Sequence, residues 1–208
     1  MSLLIATPCY AGMCHSAFLE SCLSLEATLT QVGLDHSWLL TKNESLITRG
    51  RNTSATKFLQ THYERLLFID SDIEFTAEDV AKLWNIDSPG ADVAVGVYRM
   101  KREGSPYAAW VNGSLIEDLP SDPMEVDYAG TGFMMIKRSV FTRLMRSHPE
   151  WKYEESIGEC WAFFQDPIED GIHLSEDYFF CKRVREMGMK VVMDPSVRLK
   201  HWGQKCFD

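Results

Sequence analysis

Two carboxylates, Asp70 and Asp72, stand directly after the apolar run Leu66, Leu67, Phe68 and Ile69. A core strand that ends on two acids needs a reason. Residues two apart in extended chain point the same way, so the pair can face one ligand. Left alone, two close carboxylates repel and one tends to stay protonated. A divalent cation removes that conflict. Oxygen donors suit Mg²⁺ or Mn²⁺, ions that keep waters and bind through one or two carboxylates together with substrate phosphates. Asp70-Ser71-Asp72 therefore reads as a metal–diphosphate site. A solvated turn or a helix-entry acid cluster is the ordinary alternative for a lone D-x-D, and the position after a buried strand weighs against it.

Three further stretches can work with that pair. In residues 128–141, YAGTGFMMIKRSVF, Gly130, Thr131 and Gly132 precede a buried strand. Small residues there let a ligand approach the backbone, or simply make a tight turn. In residues 173–188, HLSEDYFFCKRVREMG, Glu176 and Asp177 fall in the first turn of a helix capped by Ser175. Acids stabilise helix N-termini, and the same dipole keeps a carboxylate ionised, as a base for a sugar hydroxyl must be. In residues 197–203, VRLKHWG, His201 offers an imidazole that can complete a metal site or stay merely exposed.

The elements that must position these residues alternate. Leu3 to Thr7 reads as a buried strand, 15–32 as a helix stopped by Gly33, and Ser37 to Leu40 as a second strand. A polar helix covers about 51–61 and a strand 65–70. Thr76 caps a helix reaching Asn85, with Asp79 as its capping-box partner. Ala91 to Tyr98 is a further strand, and Asn112-Gly113 between apolar flanks marks a hairpin. Phe133 to Lys137 is a strand, 139–147 a helix, 175–188 a helix and Lys190 to Asp194 the last strand. This is an α/β pattern with a mixed, mostly parallel sheet. Ligands in such sheets bind at the carboxyl ends of strands, where Asp70 and Asp72 sit.

Composition limits the partners. The chain has 208 residues, enough for one sizeable core, with 45% hydrophobic and 25% charged residues. A formal charge of −9 without a basic run argues against nucleic acid or an anionic membrane as main partner. The six cysteines form no CxxC pair and read as reduced thiols of a cytoplasmic protein. Only Leu3 to Ala6 are apolar before Pro8, so no export signal is read, and no stretch approaches the ~20 apolar residues of a membrane helix. Without export, the N-x-S/T sequons at Asn43, Asn52 and Asn112 are chance matches.

Taken together and in order, LLIATPCY, LITRGRN, LLFIDSDIEF, VAVGVYRMKR, AGTGFMMIKRSVF, SEDYFF and LKHWG resemble the GT-A class of nucleotide-sugar glycosyltransferases. A looser similarity is to the amino-terminal domain of a large chlorella-virus glycosyltransferase acting on capsid glycans. The resemblance implies one α/β domain over 1–208, with a Rossmann-like nucleotide-binding half (1–100) and an acceptor-binding, catalytic half (101–208). It implies that Thr7, Pro8, Cys9 and Tyr10 hold the nucleoside, with Tyr10 stacking on the base, and that Arg51 and Asn52 lie near the nucleotide. Asp70, Ser71 and Asp72 would carry Mn²⁺ (or Mg²⁺) against the diphosphate of a UDP-sugar, with His201 as a further ligand. Tyr98, Arg99 and Lys101 would face donor sugar or acceptor, and Gly130, Thr131 and Gly132 would border the acceptor, a glycan or glycoprotein. Asp177, with Glu176 as neighbour or substitute, would be the base of an inverting hexosyl- or deoxyhexosyltransferase.

Two other enzyme classes use similar parts. A HAD-type phosphohydrolase also places D-x-D after a strand, but early in the chain and with Thr two residues after the second Asp, where this chain has Glu74. A nucleotidyltransferase would carry a Gly- and Lys/Arg-rich loop near the first strand, and TPCYAGMCHS lacks those basic residues. A non-catalytic sugar-nucleotide or carbohydrate-binding domain is the remaining alternative.

Overall fold

The computed structural model describes residues 1–86 and 90–208. The chain runs β1 (Ser2–Cys9), α1 (Ser16–Gln31), β2 (Asp35–Lys42), α2 (Ile47–Leu59), β3 (Arg65–Ile69), β4 (Ile73–Glu74), α3 (Ala77–Trp84) and β5 (Val93–Val95). It continues through β6 (Ala109–Val111), β7 (Ser114–Leu115), β8 (Met124–Glu125), β9 (Tyr128–Ala129), β10 (Phe133–Lys137) and α4 (Arg138–Ser147). Last come β11 (Lys152–Glu155), β12 (Gly158–Trp161), β13 (Ile168–Glu169), β14 (Ile172–His173), α5 (Glu176–Glu186), β15 (Val191–Met193), β16 (Lys200–Trp202) and β17 (Cys206–Phe207).

Period-two alternation builds three layers. On β3, Leu66 and Phe68 join Ala55 and Phe58 of α2, Phe141 and Leu144 of α4 and Phe180 of α5 in one core. Leu67 and Ile69 join Phe18, Leu25 and Leu29 of α1 and Val80 and Leu83 of α3 in the other. The seven-stranded sheet between them has the order β2-β1-β3-β10-β5-β15-β8. β10 runs against both β3 and β5, β8 runs against β15, and the other pairings are parallel, so the sheet is mixed with most strands in one direction. The two halves of the chain interleave, because β10 lies between β3 and β5.

Two local expectations hold in detail. The hydroxyl of Thr76 accepts from the Asp79 N–H while the Asp79 carboxylate accepts from the Thr76 N–H, a reciprocal cap for α3. β6 and β7 form the Asn112-Gly113 hairpin, with both turn residues at positive φ (52° and 77°). Among the described residues the six cysteines are free, and no helix is long and apolar enough to cross a membrane.

Two expectations change. The helix read as polar and starting near residue 51 begins at Ile47, and its polar residues Arg51, Asn52, Ser54 and Thr56 are buried. Three of them have partners inside: Arg51 pairs with Asp70, Ser54 donates to the Gly50 carbonyl, and Asn52 exchanges two hydrogen bonds with the Phe164 backbone (2.9 and 2.8 Å). The second change is a small sheet, β17-β16-β4, with His201 of β16 opposite Ile73 of β4. β4 and β16 are too short to leave a periodic signal, yet they bring the end of the chain to the Asp70–Asp72 turn.

Candidate active site

Beyond the carboxyl ends of β1 and β3 lies a cavity of about 390 Å³. β1 and the turn after it supply Pro8 and Tyr10, and the turn after β3 supplies Asp70, Ser71 and Asp72. Tyr98, Thr131 and the α5 start, Glu176 and Asp177, complete the wall with Arg51. Sequence reasoning missed Glu44, Ser45 and Ile47, which precede and open α2. The signal was available in Glu44, whose carboxylate accepts from the Leu46 N–H (2.9 Å) and pairs with Arg49 (2.6 Å) at that helix start.

Arg51 organises the floor. It is 3% exposed, donates to Asp70 Oδ1 at 3.0 Å, lies 3.5 Å from Glu176 Oε1, and covers the Phe68 ring at 5.4 Å. Its Nη1 is buried without a hydrogen-bond partner among the described residues. Removing one member of such a cluster leaves buried charge uncompensated, so the three side chains hold one another in place. Asp70 is thereby committed to arginine.

Asp72 has different company. Lys101 forms an ion pair with its Oδ2, and His201 Nε2 lies 3.6 Å from its Oδ1, too far for a hydrogen bond. His201 Nδ1 donates to the Arg99 carbonyl oxygen at 2.9 Å, which leaves Nε2 as the ring atom on the Asp72 side. Asp72 Oδ1 is buried and has no hydrogen-bond partner among the described residues. A carboxylate oxygen and an imidazole nitrogen thus lie 3.6 Å apart, a pair of ligand types that fits a divalent cation. Burial would raise the Asp72 carboxyl; His201 and the Lys101 ammonium outweigh it and hold it below the usual carboxylate range. Among the described residues no three His, Cys, Asp or Glu side chains gather as a ready-made metal cage. Asp72 and His201 would be the protein's share of such a site, with Asp70 paired to Arg51.

The two acids of α5 also separate. Glu176 belongs to the Arg51 cluster. Asp177 is half-buried, and burial, with Glu176 beside it, pushes its carboxyl up to about 6. Its Oδ1 accepts from the Ser175 hydroxyl and from the Tyr178 N–H (2.8 Å). Ser175 occupies the cap position as expected, but its hydroxyl serves Asp177 and accepts no helix N–H. No described hydrogen bond reaches Asp177 Oδ2. The arrangement can fix a carboxylate by one oxygen and take a proton on the other.

Several expected residues lie outside the cavity lining. Thr7 and Cys9 are buried in β1, and Asn52 is turned to the Phe164 backbone. Arg99 donates to the Ser105 carbonyl (2.8 Å) and stacks on Tyr107 (4.5 Å), bracing its own loop. Gly130 and Gly132 are small for a protein reason. A Cβ on either would sit no farther than 2.5 Å from the Tyr98 hydroxyl, which accepts from the Gly132 N–H at 3.0 Å. Tyr98 fills the space that the sequence left for a ligand, and Thr131 between the glycines reaches the cavity.

No protein-family model and no curated protein matches the chain. Solved structures do match over nearly all of it. The viral protein A197 from STIV aligns with a TM-score of 0.64 at 19% identity, covering 98% of this chain and 86% of A197. GalNAc-T7, crystallised with UDP, GalNAc and Mn²⁺, aligns at 0.58 and 12% identity, covering 96% of this chain and 43% of its own. A mutant of the Drosophila β1,4-galactosyltransferase 7, in complex with manganese, UDP-Gal and xylobiose, aligns at 0.51 and 13% identity, over 97% and 71%. The chain has the GT-A fold. At these identities the likeness is one of fold, and the chemistry has to be argued from the GT-A cavity itself.

Proposed function

We propose that this chain is a metal-dependent glycosyltransferase that moves a hexosyl or deoxyhexosyl group from a nucleoside-diphosphate sugar, UDP-linked by preference, to a glycan or glycoprotein hydroxyl with inversion. The observation that carries the proposal is Asp177, a carboxyl pushed up to about 6 in the same cavity as the Asp70–Asp72 turn. A general base works best with a pKa near the operating pH. The electrostatics support a cation as well. Five carboxylates line the cavity and three cations, Arg51, Arg49 and Lys101, pair with them, so the surroundings stay net negative and repel a diphosphate unless positive charge is added.

In this reading the first hundred residues bind the nucleotide, and Tyr10, 73% exposed at the cavity wall, stacks on the base. Arg51 holds Asp70 and Glu176 in position. Asp177 Oδ2 takes the proton of the acceptor hydroxyl; that oxygen bonds to the anomeric carbon as the bond to the diphosphate oxygen breaks, and the nucleoside diphosphate leaves with the electron pair. Asp72 and His201 would hold Mn²⁺ or Mg²⁺, which when bound supplies charge neutralisation for the leaving diphosphate. UDP is favoured because two fold neighbours were crystallised with UDP or a UDP-sugar and manganese.

The test is thermal unfolding with UDP, GDP, CMP and dTDP, each with Mn²⁺ and with EDTA. One nucleoside diphosphate should stabilise the protein by about 2.7 kcal/mol at a hundredfold excess over its Kd, only with metal. The effect should vanish in Asp72→Asn. No shift with any nucleotide overturns the proposal.

A further inference from the structure

A second cavity of about 390 Å³ also borders the start of α5, and its wall is chemically unlike the first. Trp110 of β6, Tyr128 of β9 and Tyr178 of α5 form it with Ile172 and His173 of β14 and Asp170. Tyr128 and Tyr178 stack at 5.2 Å between centroids, and Trp110 meets Tyr178 edge-on at 6.3 Å. The Trp110 indole N–H donates to the Tyr178 hydroxyl at 2.9 Å, so that hydroxyl keeps its own proton to give. The β13–β14 hairpin turns tightly at Asp170-Gly171, both at positive φ, and presents Ile168 and Ile172 at 75% and 64% exposure. Glu169 pins it to Lys182 and Arg183 of α5. Tyr178 directly follows Asp177 and donates its backbone N–H to that carboxylate. Asp177 of the first lining and Tyr178 of the second are thus consecutive, their Cα atoms about 3.8 Å apart.

We infer that this aromatic cavity is the seat of the acceptor, binding a pyranose ring whose hydroxyl is presented to Asp177. The inference rests on the glycosyltransferase reading and names the substrate class of that site. A pyranose has an apolar C–H face and a hydroxyl rim. Flat aromatic faces match the first, and Asp170, His173 and the Tyr178 O–H match the second. The donor does not need this surface, since its anionic diphosphate belongs with the cation site and its base has Tyr10. The ring seated here is therefore a unit of a glycan, and a sugar-free protein segment is the poorer fit.

The probes are β1,4-xylobiose, cellobiose and chitobiose, titrated into ¹⁵N-labelled protein while the Trp110 indole signal, assigned through Trp110→Phe, is followed. At least one should move that signal without Mn²⁺ or nucleotide. Affinity should fall about tenfold in Tyr178→Ala and about threefold in Ile172→Asp, whose side chain is already exposed, and stay unchanged in Asp72→Asn. The inference is overturned if no disaccharide moves the signal, if UDP competes for it, or if both aromatic-cavity variants bind as the wild type does. UDP and Mn²⁺ binding with a silent Trp110 breaks this inference and spares the glycosyltransferase reading. A responsive Trp110 without nucleotide binding breaks that reading and leaves a sugar-binding cavity.

Discussion

The two cavities flanking the start of α5 have similar volume and opposite chemistry. One is walled by five carboxylates, four of them paired with Arg51, Arg49 or Lys101, and the other by three rings, an exposed hairpin and few charges. Charge in the first is arranged by partners that differ from acid to acid. Asp70 is bound to arginine, Asp72 to a lysine beside a histidine, and Asp177 to a serine hydroxyl and a backbone N–H. The second has no such division and offers area. The contrast teaches that one helix N-terminus can border a charged wall and an aromatic wall without the two sharing side chains.

The comparison can be broken most decisively at Asp177. Asp177→Asn should lower transfer turnover about 10³-fold while leaving nucleotide–metal binding and disaccharide binding within about twofold, read by steady-state kinetics and titration. In the wild type, kcat/KM should fall as pH drops through about 6, and retention of full activity at lower pH would remove Asp177 from the chemistry. Next in size, Arg51→Met should cost about 3–5 kcal/mol in denaturant unfolding, because Asp70 and Glu176 lose their buried partner, whereas no single change in the aromatic cavity should approach that.

A third effect has the opposite sign. The folded Asp177 pKa of about 6 lies above its ordinary value of 3.8, so ionisation opposes folding. Wild-type stability should decline as pH rises from about 4 through 6, and Asp177→Asn should be more stable by about 1–3 kcal/mol at pH 8 but not at pH 3.5. Equal stability at both pH values would contradict the burial argument. At the small end, Asn52→Ala should cost about 2 kcal/mol of stability and leave the nucleotide Kd unchanged, since both its hydrogen bonds go to Phe164. A weakened Kd would bring Asn52 back to the nucleotide.

The carboxylate cavity was the more legible of the two in the sequence. Its acids are read from local context: Asp70 and Asp72 from the strand they end, Glu176 and Asp177 from the helix they open. Helices and long strands were legible for the same reason, since Leu66 to Ile69 and the Thr76–Asp79 cap carry their signals within a few residues. The aromatic cavity was not, because Trp110, Tyr128 and Tyr178 come from three elements, and the stretches holding Tyr128 and Tyr178 stand out for their glycines and acids rather than for their rings. Gly130 and Gly132 misled in a specific way. A glycine announces close approach but not what approaches, and here it is Tyr98, more than thirty positions away. Gly132→Ala should therefore cost about 1–3 kcal/mol through overpacking.

The pairing of β4 with β16 has a consequence for how the protein assembles. Trp202 donates to Glu74 across 128 positions of chain, beside the contact between Asp72 and His201. Closing so long a loop is entropically slow to be repaid, and such contacts form late. A cation held between Asp72 and His201 would fasten that loop, so metal should slow unfolding, and this seam should be the first part of the native state to open when metal is withdrawn.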